Sequence, residues 1–400
     1  MFKLDFYAVG IELLKGIGLF FLHPLTYILI LFSLFLGYKR VQRERKDFHT
    51  RVYDIIDDWL SPLFPSFIAA LVLMLVVVGL GIVIPLGVML LFAAVHLLLL
   101  LTGQARWLSP AYTGSLTLLF ALIFPNFKTG SALINQWISE IHSVHLPSIA
   151  VLVGLLMITE AVLILSNGAN HTSPKLFTSK RGKTVGGHEA QRVWILPVFL
   201  LIPSGTISIV EFWPIIPTDY SQLGFMAVPF AVGFKQVVCS TLPKEAIFKY
   251  GRLVLLVGVT VLGLSTLSMF YPIFIPIVAV TALLTRELIS IIQKLREDNK
   301  TNIYAQQQNG LVILGVIPQS PAEKMEVKVG EVVTKVNGIR VETAQQCYEA
   351  LQQNSAFCKL EIINLSGELR FTQTSLYDGE HHQVGMLFVK QDNSYYEEAI

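Results

Sequence analysis

Along the first 290 residues, apolar runs recur between short polar stretches, and from about residue 303 the pattern changes to alternation. A helix needs about 20 mostly apolar residues to cross the hydrocarbon of a bilayer. Segments 16–37, 64–83, 84–101, 110–125, 148–166, 193–212, 223–242, 253–271 and 272–290 approach or reach that length. Pro85 and Pro272 mark tight turns between paired helices, because proline opens a helix readily and breaks its interior. The weakest candidates are 16–37, interrupted at His23-Pro24, and 223–242, interrupted by Pro229, Gly233 and Lys235. The pattern predicts a polytopic α-helical membrane bundle of eight or nine spans. Residues 126–147, mixed in polarity, read as an interfacial helix or ordered loop, and 286–302 as a charged helical stalk.

The tail reads as a small α+β domain. Strands are expected at 311–317 and 331–336, and Asn337-Gly338 suits a two-residue hairpin turn because both residues tolerate positive φ. Thr343 and Gln346 have capping-box spacing for a helix to Gln352, whose Ala344, Cys347, Tyr348 and Leu351 share one face. Segments 359–363 and 368–374 form a hairpin, and 384–389 adds a strand after a turn at Asp378-Gly379. The expected division is 1–285 transmembrane, 286–302 stalk, 303–391 folded tail and 392–400 flexible acidic end.

Charge sharpens this division. The chain is 53% hydrophobic and 14% charged, but 26 charged residues fall in 286–400 against 32 in 1–285. The tail has the charge density of a water-soluble domain. It is also net acidic, which argues against a nucleic-acid partner. Basic clusters at 38–51, 175–192 and 244–252 orient those segments, and the tail with them, to the cytoplasm. The cysteines Cys239, Cys347 and Cys358 form no disulfide framework and read as reduced thiols.

No competent catalytic constellation is legible. His188-Glu189-Ala190-Gln191-Arg192 approaches the zinc motif H-E-x-x-H, but a guanidinium replaces the second histidine and cannot bind a metal. Pro203-Ser204-Gly205 lacks the surroundings of a nucleophilic serine. Neither an enzyme activity, a cofactor nor a metal is expected, and the pair His381-His382 reads as solvated. Glu160, within LLMITEAVLIL, is a buried polar site by default, since a carboxylate at membrane depth is costly. It serves either a proton or substrate path or a hydrogen-bonded bundle interior.

Ser320-Pro321-Ala322, Val329-Gly330-Glu331-Val332-Val333 and Val336-Asn337-Gly338-Ile339-Arg340-Val341 resemble the core of bacterial PDZ domains. That resemblance implies a partly open β-barrel with a flanking helix, which binds extended peptides by strand addition. The family's carboxylate-gripping loop is absent just before Gly310. Its substitute is expected from the C-terminal side, as in permuted members, as Val384-Gly385-Met386-Leu387. The groove would lie between these residues and Ala344, Tyr348 and Leu351 of the helix. The alternative, that 384–389 only completes the barrel, stays open. The terminus YYEEAI (395–400) is of the kind such grooves accept, which would give self-association.

Joined to IELLKGIGLFFLHPL (11–25), YKRVQRERKDFHTRVYD (38–54) and RWLSPAYT (106–113), this tail is similar to the polytopic division-site determinants of Bacillus-type bacteria. The resemblance implies a non-enzymatic adaptor in the cell membrane, at septum and poles. It would bridge a DivIVA-like polar scaffold to the MinD-like division inhibitor, with other divisome membrane proteins as further partners. The alternatives are an ion-coupled transporter with a regulatory tail, or an adaptor for a membrane protease.

Overall fold

The computed structural model describes residues 6–179, 182–209, 213–216, 218, 220–305, 310–354, 356–376 and 384–389. The expectations for Asp378-Gly379, His381-His382 and 392–400 lie outside them.

The first apolar stretch is two helices, α1 (Phe6–Leu22) and α2 (Pro24–Phe48). The break falls at His23, which is extended, and its Nδ1 accepts the Leu25 N–H at 3.2 Å ahead of Pro24 at the helix start. Helices α3 (Asp57–Leu80), α4 (Leu86–Leu100), α5 (Pro110–Ile123), α6 (Ala132–Ser143) and α7 (Leu146–Asn167) follow. α6 is the helix anticipated within 126–147, and its Glu140 accepts the Gly87 N–H at the start of α4 at 2.7 Å.

The chain then departs from the helical expectation. β1 (Ser173–Thr178), β2 (Thr184–Ser208) and β3 (Gln222–Val238) form an antiparallel sheet in that order. The segments 193–212 and 223–242, expected to be helical spans, are therefore largely the two arms of a β-ribbon. Pro197, Pro203 and Pro229 each weaken a helix interior, although α3 accommodates Pro62 and Pro65. In the ribbon Pro197 pairs directly with Pro229, and a two-stranded ribbon leaves an outward-facing position on each strand that needs no ladder donor. Trp194, Leu196, Val198 and Leu200 are fully buried at strand period. Helices α1 and α3 pack against this ribbon, while Ser204, Thr206 and Ser208 at its far end stay exposed. The Ile84 N–H reaches the Leu201 carbonyl at 2.8 Å. At Gly233 any side chain would collide with the backbone of Ala105, in the 3-10 turn Ala105–Leu108 against β3.

Helices α8 (Pro243–Ser268) and α9 (Phe274–Asn299) complete this half. α2, α3, α7, α8 and α9 are long and apolar enough to cross a membrane, and α4 and α5 are shorter apolar helices. The eight or nine helical spans expected thus meet five helices of spanning length among the described residues. α9 runs unbroken across position 286, where the stalk was expected to begin.

The tail comprises β4 (Leu311–Val316), α10 (Pro321–Lys324), β5 (Val332–Val336), β6 (Ile339–Arg340), α11 (Ala344–Gln352), β7 (Phe357–Ile363), β8 (Leu369–Ser375) and β9 (Met386–Phe388). The sheet order is β8-β7-β5-β4-β9, with β6 paired to β5. β4 is buried on both faces. Leu311 and Ile313 enter the tail's own core, while Val312 and Leu314 pack with Tyr304, Leu176 and Phe48 against the membrane half. The Gly186 N–H donates to the Tyr304 carbonyl at 2.9 Å.

Candidate functional site

The candidate groove expected in the tail is shaped by its turn chemistry. Ser320 caps α10, and the chain just beyond it holds the segment leading into β9. The Ile317 N–H donates to the Gly385 carbonyl at 2.8 Å, and the Ala322 N–H to the Val384 carbonyl at 2.9 Å. Gly385 has φ +90°, and any side chain there would strike Ser320, so only glycine fits. β9 then pairs antiparallel with β4, Val316 opposite Met386 and Ile313 opposite Phe388.

The flanking helix α11 starts at a complete capping box. Thr343 Oγ1 accepts the Gln346 N–H at 3.1 Å, and Gln346 Oε1 accepts the Thr343 N–H at 3.2 Å. Cys347, Ala350 and Leu351 enter the core together with Val384, and Met386 and Phe388 pack against the same cluster. Ala344 and Tyr348 lie exposed on the outer side of α11. The expected groove residues therefore divide. Met386 and Tyr348 offer accessible surface, Val384 and Leu351 are core, and Gly385 is a hinge in the backbone. Leu387 points the other way, its Cδ1 3.2 Å from where a Cβ on Gly315 would lie, on the side of Pro174. β9 ends the sheet, and its outer edge has no strand partner among the described residues.

Glu160 has a partner that the sequence concealed. It is fully buried on α7 and accepts from Arg286 Nη2 of α9 at 2.7 Å and from the Ser109 hydroxyl at 2.7 Å. Ser109 also caps α5, so the Ser109-Pro110 pair starts a helix and bridges a buried ion pair. Arg286 in turn lies over the Tyr250 ring, 5.1 Å from its centroid. Next to it, Glu287 accepts from Arg106 Nη2 at 2.6 Å and from the Tyr112 hydroxyl at 2.6 Å. Arg286, at the start of the segment expected to be a stalk, is buried in the bundle.

The near-motif at His188 is structural. His188 Nδ1 lies 3.0 Å from Thr172 Oγ1 and its ring packs on Tyr304. Burial lowers its pKa to about 4, and the backbone of Leu314 and Thr172 offsets this only in part. Glu189 pairs with Arg43, Lys175 and Lys235. Burial raises its pKa, but those cations win and hold it down at about 2. Arg192 pairs with Asp58 at 3.3 Å. Among the described residues no group of three or more acidic, histidine or cysteine side chains is placed to hold a metal. The three thiols are free and buried, and burial pushes each up to about 12.

The basic run at 39–51 is likewise partly internal. Arg40 pairs with buried Glu44 at 2.9 Å and with Asp58 at 2.7 Å, and Glu44 also accepts the Val52 N–H and the Ser173 hydroxyl.

These features define a protein with several helices long and apolar enough to cross a membrane and a PDZ domain, a protein-interaction module. The PDZ domain family matches residues 312–363. Over 384 residues the chain is 41% identical to the cell division topological determinant MinJ of Bacillus subtilis, covering 96% of each chain. It is 26% identical over 257 residues to the probable cell division topological determinant MinJ of Lacticaseibacillus paracasei, covering 62% of this chain and 68% of that one. The chain belongs to the MinJ family of cell division topological determinants. No solved structure matches it.

Proposed function

We propose that the chain is a non-enzymatic membrane adaptor for placing the division site. Residues 1–285 anchor it, 286–302 connect, and 303–391 recruit partners on the cytoplasmic side, with 392–400 as a terminal acidic segment. It links a DivIVA-like polar scaffold to the MinD-like inhibitor and so restricts septation to midcell, acting at septum and poles beside other divisome membrane proteins. The observation that carries this reading is the outer edge of β9. Among the described residues this edge has no strand partner, and its Met386 and Phe388 pack on the core that Cys347, Ala350 and Leu351 of α11 enter; such an edge is suited to adding a peptide strand, here in a domain packed against the helical half. Met386 and Tyr348 would flank the added strand, and Val384, Gly385 and Leu351 would hold its walls in place.

The transporter alternative draws no support from Glu160, since both carboxylate oxygens are engaged, by Arg286 and Ser109. The experiment is co-purification of the full chain with DivIVA-like and MinD-like proteins, comparing wild type with Tyr348→Glu. Binding of at least one partner should fall about tenfold or more, the scale of a lost interface anchor, with polar and septal fluorescence lost in step. Unchanged binding of both partners to the variant overturns the groove assignment.

A further inference from the structure

Between α9, β1, β3 and the 3-10 turn lies a cavity of about 400 Å³. Its lining includes five cationic side chains, Arg106, Lys175, Lys235, Arg286 and Lys294, against two carboxylates, Glu297 and Asp298. Glu297 is already committed, accepting the N–H groups of Cys239 and Ser240 at 2.8 and 2.9 Å. The carboxylates that pair with four of the five cations do not line the cavity: Glu160 holds Arg286, Glu189 holds Lys175 and Lys235, and Glu287 holds Arg106. Two donors remain unused. Arg286 is 2% exposed, yet its Nη1 has no hydrogen-bond partner, and neither has the buried Nε of Arg106. A buried guanidinium donor without an acceptor is costly, and a phosphate oxygen is the acceptor whose charge and geometry suit it. The buried Oε1 of Gln236, also without a partner, would accept from a hydroxyl on the same ligand.

The opposite face of α9 places the cavity beside lipid. Leu284, Leu288, Ile291 and Leu295 are exposed along it, while Arg286, Ser290, Gln293 and Lys294 line the cavity. One helix therefore presents phosphate-binding groups on one side and an apolar, acyl-chain-like stripe on the other. We propose that this cavity binds the headgroup of an acidic phospholipid carrying a free hydroxyl. The proposal needs only the membrane-crossing helices and is independent of the partner reading.

The test uses the full chain, delipidated in neutral detergent, titrated with phosphatidylglycerol, phosphatidylcholine or inorganic phosphate and followed by native mass spectrometry and thermal unfolding. The probe variant is Lys235→Gln with Lys294→Gln, which leaves the buried Arg286–Glu160 pair intact. Lys46→Gln, an exposed cation outside the cavity, is the control. Phosphatidylglycerol should bind wild type and the control alike and raise their unfolding temperature. The double variant should bind it about fivefold more weakly for each charge removed. A lipid-free unfolding temperature equal to wild type shows that the variant is folded; if it is lower, Lys294→Gln alone, on an exposed side chain, is read instead. Equal binding of phosphatidylcholine, unchanged binding by the folded variant, or equal protection by inorganic phosphate overturns the proposal, the last by showing a free-phosphate site.

Discussion

Arg286 on α9 and Glu160 on α7 form an ion pair at 2.7 Å with both side chains buried, closed by the Ser109 hydroxyl from the start of α5. Three helices are thereby cross-linked by one charge-assisted cluster. Removing one partner of such a pair strands the other charge and costs about 3–5 kcal/mol. Glu160→Leu or Arg286→Leu alone should each lower the unfolding temperature in detergent sharply. The pair changed together should recover much of the loss, and a double-mutant cycle with no coupling would contradict the geometry.

Gly385 should tolerate no side chain. Gly385→Ala places a Cβ against Ser320 at φ +90°, a backbone cost of about 1–3 kcal/mol before the collision is counted. The expected outcome is faster amide exchange in β9 and at Ile317 and Ala322, with the membrane half unaffected, read by hydrogen exchange on the full chain.

The capping box of α11 gives a graded test of the groove. Thr343→Ala should cost about 1 kcal/mol and fray the helix start while leaving Cys347 and Leu351 in the core. Thr343→Ser should restore most of it. Exchange protection at Gln346 and partner binding are the readouts.

Acid should loosen the contact between tail and membrane half. His188 has a folded pKa of about 4 against an ordinary 6.5, so between those values the unfolded chain binds a proton that the folded chain refuses. Stability is therefore full above pH 6.5 and falls as pH drops toward 4, by on the order of 3 kcal/mol. Glu189, held at about 2 against 4.5, adds a further loss below pH 4.5. Unfolding midpoints from pH 7.5 to 4.5 should decline for wild type and decline less for His188→Gln.

Much of the tail was legible because its turns are written in local residues. Ser320-Pro321-Ala322, Asn337-Gly338 and the Thr343/Gln346 pair each specify a backbone geometry over a few positions. Hydropathy served less well in the first half, because an apolar run records burial without recording period. In 193–212 and 223–242 the prolines weakened the helical expectation without specifying a strand, since α3 carries Pro62 and Pro65 within a helix. The Glu160–Arg286 pair and the phosphate-binding cavity were out of reach. Their residues lie on elements far apart in sequence, and Arg286 looked like the first residue in water when only its neighbours along the chain were considered.

β4 is shared between two cores, with one edge paired to β9 and one face seated on the membrane half. A partner strand added to β9 would therefore sit two strands from the anchored strand β4, with no slack tether between. Such a partner would be held at a fixed height above the bilayer and in a fixed orientation. Its search for further partners would become diffusion in a plane, and its encounters with other membrane-bound proteins would depend on surface density rather than on volume concentration.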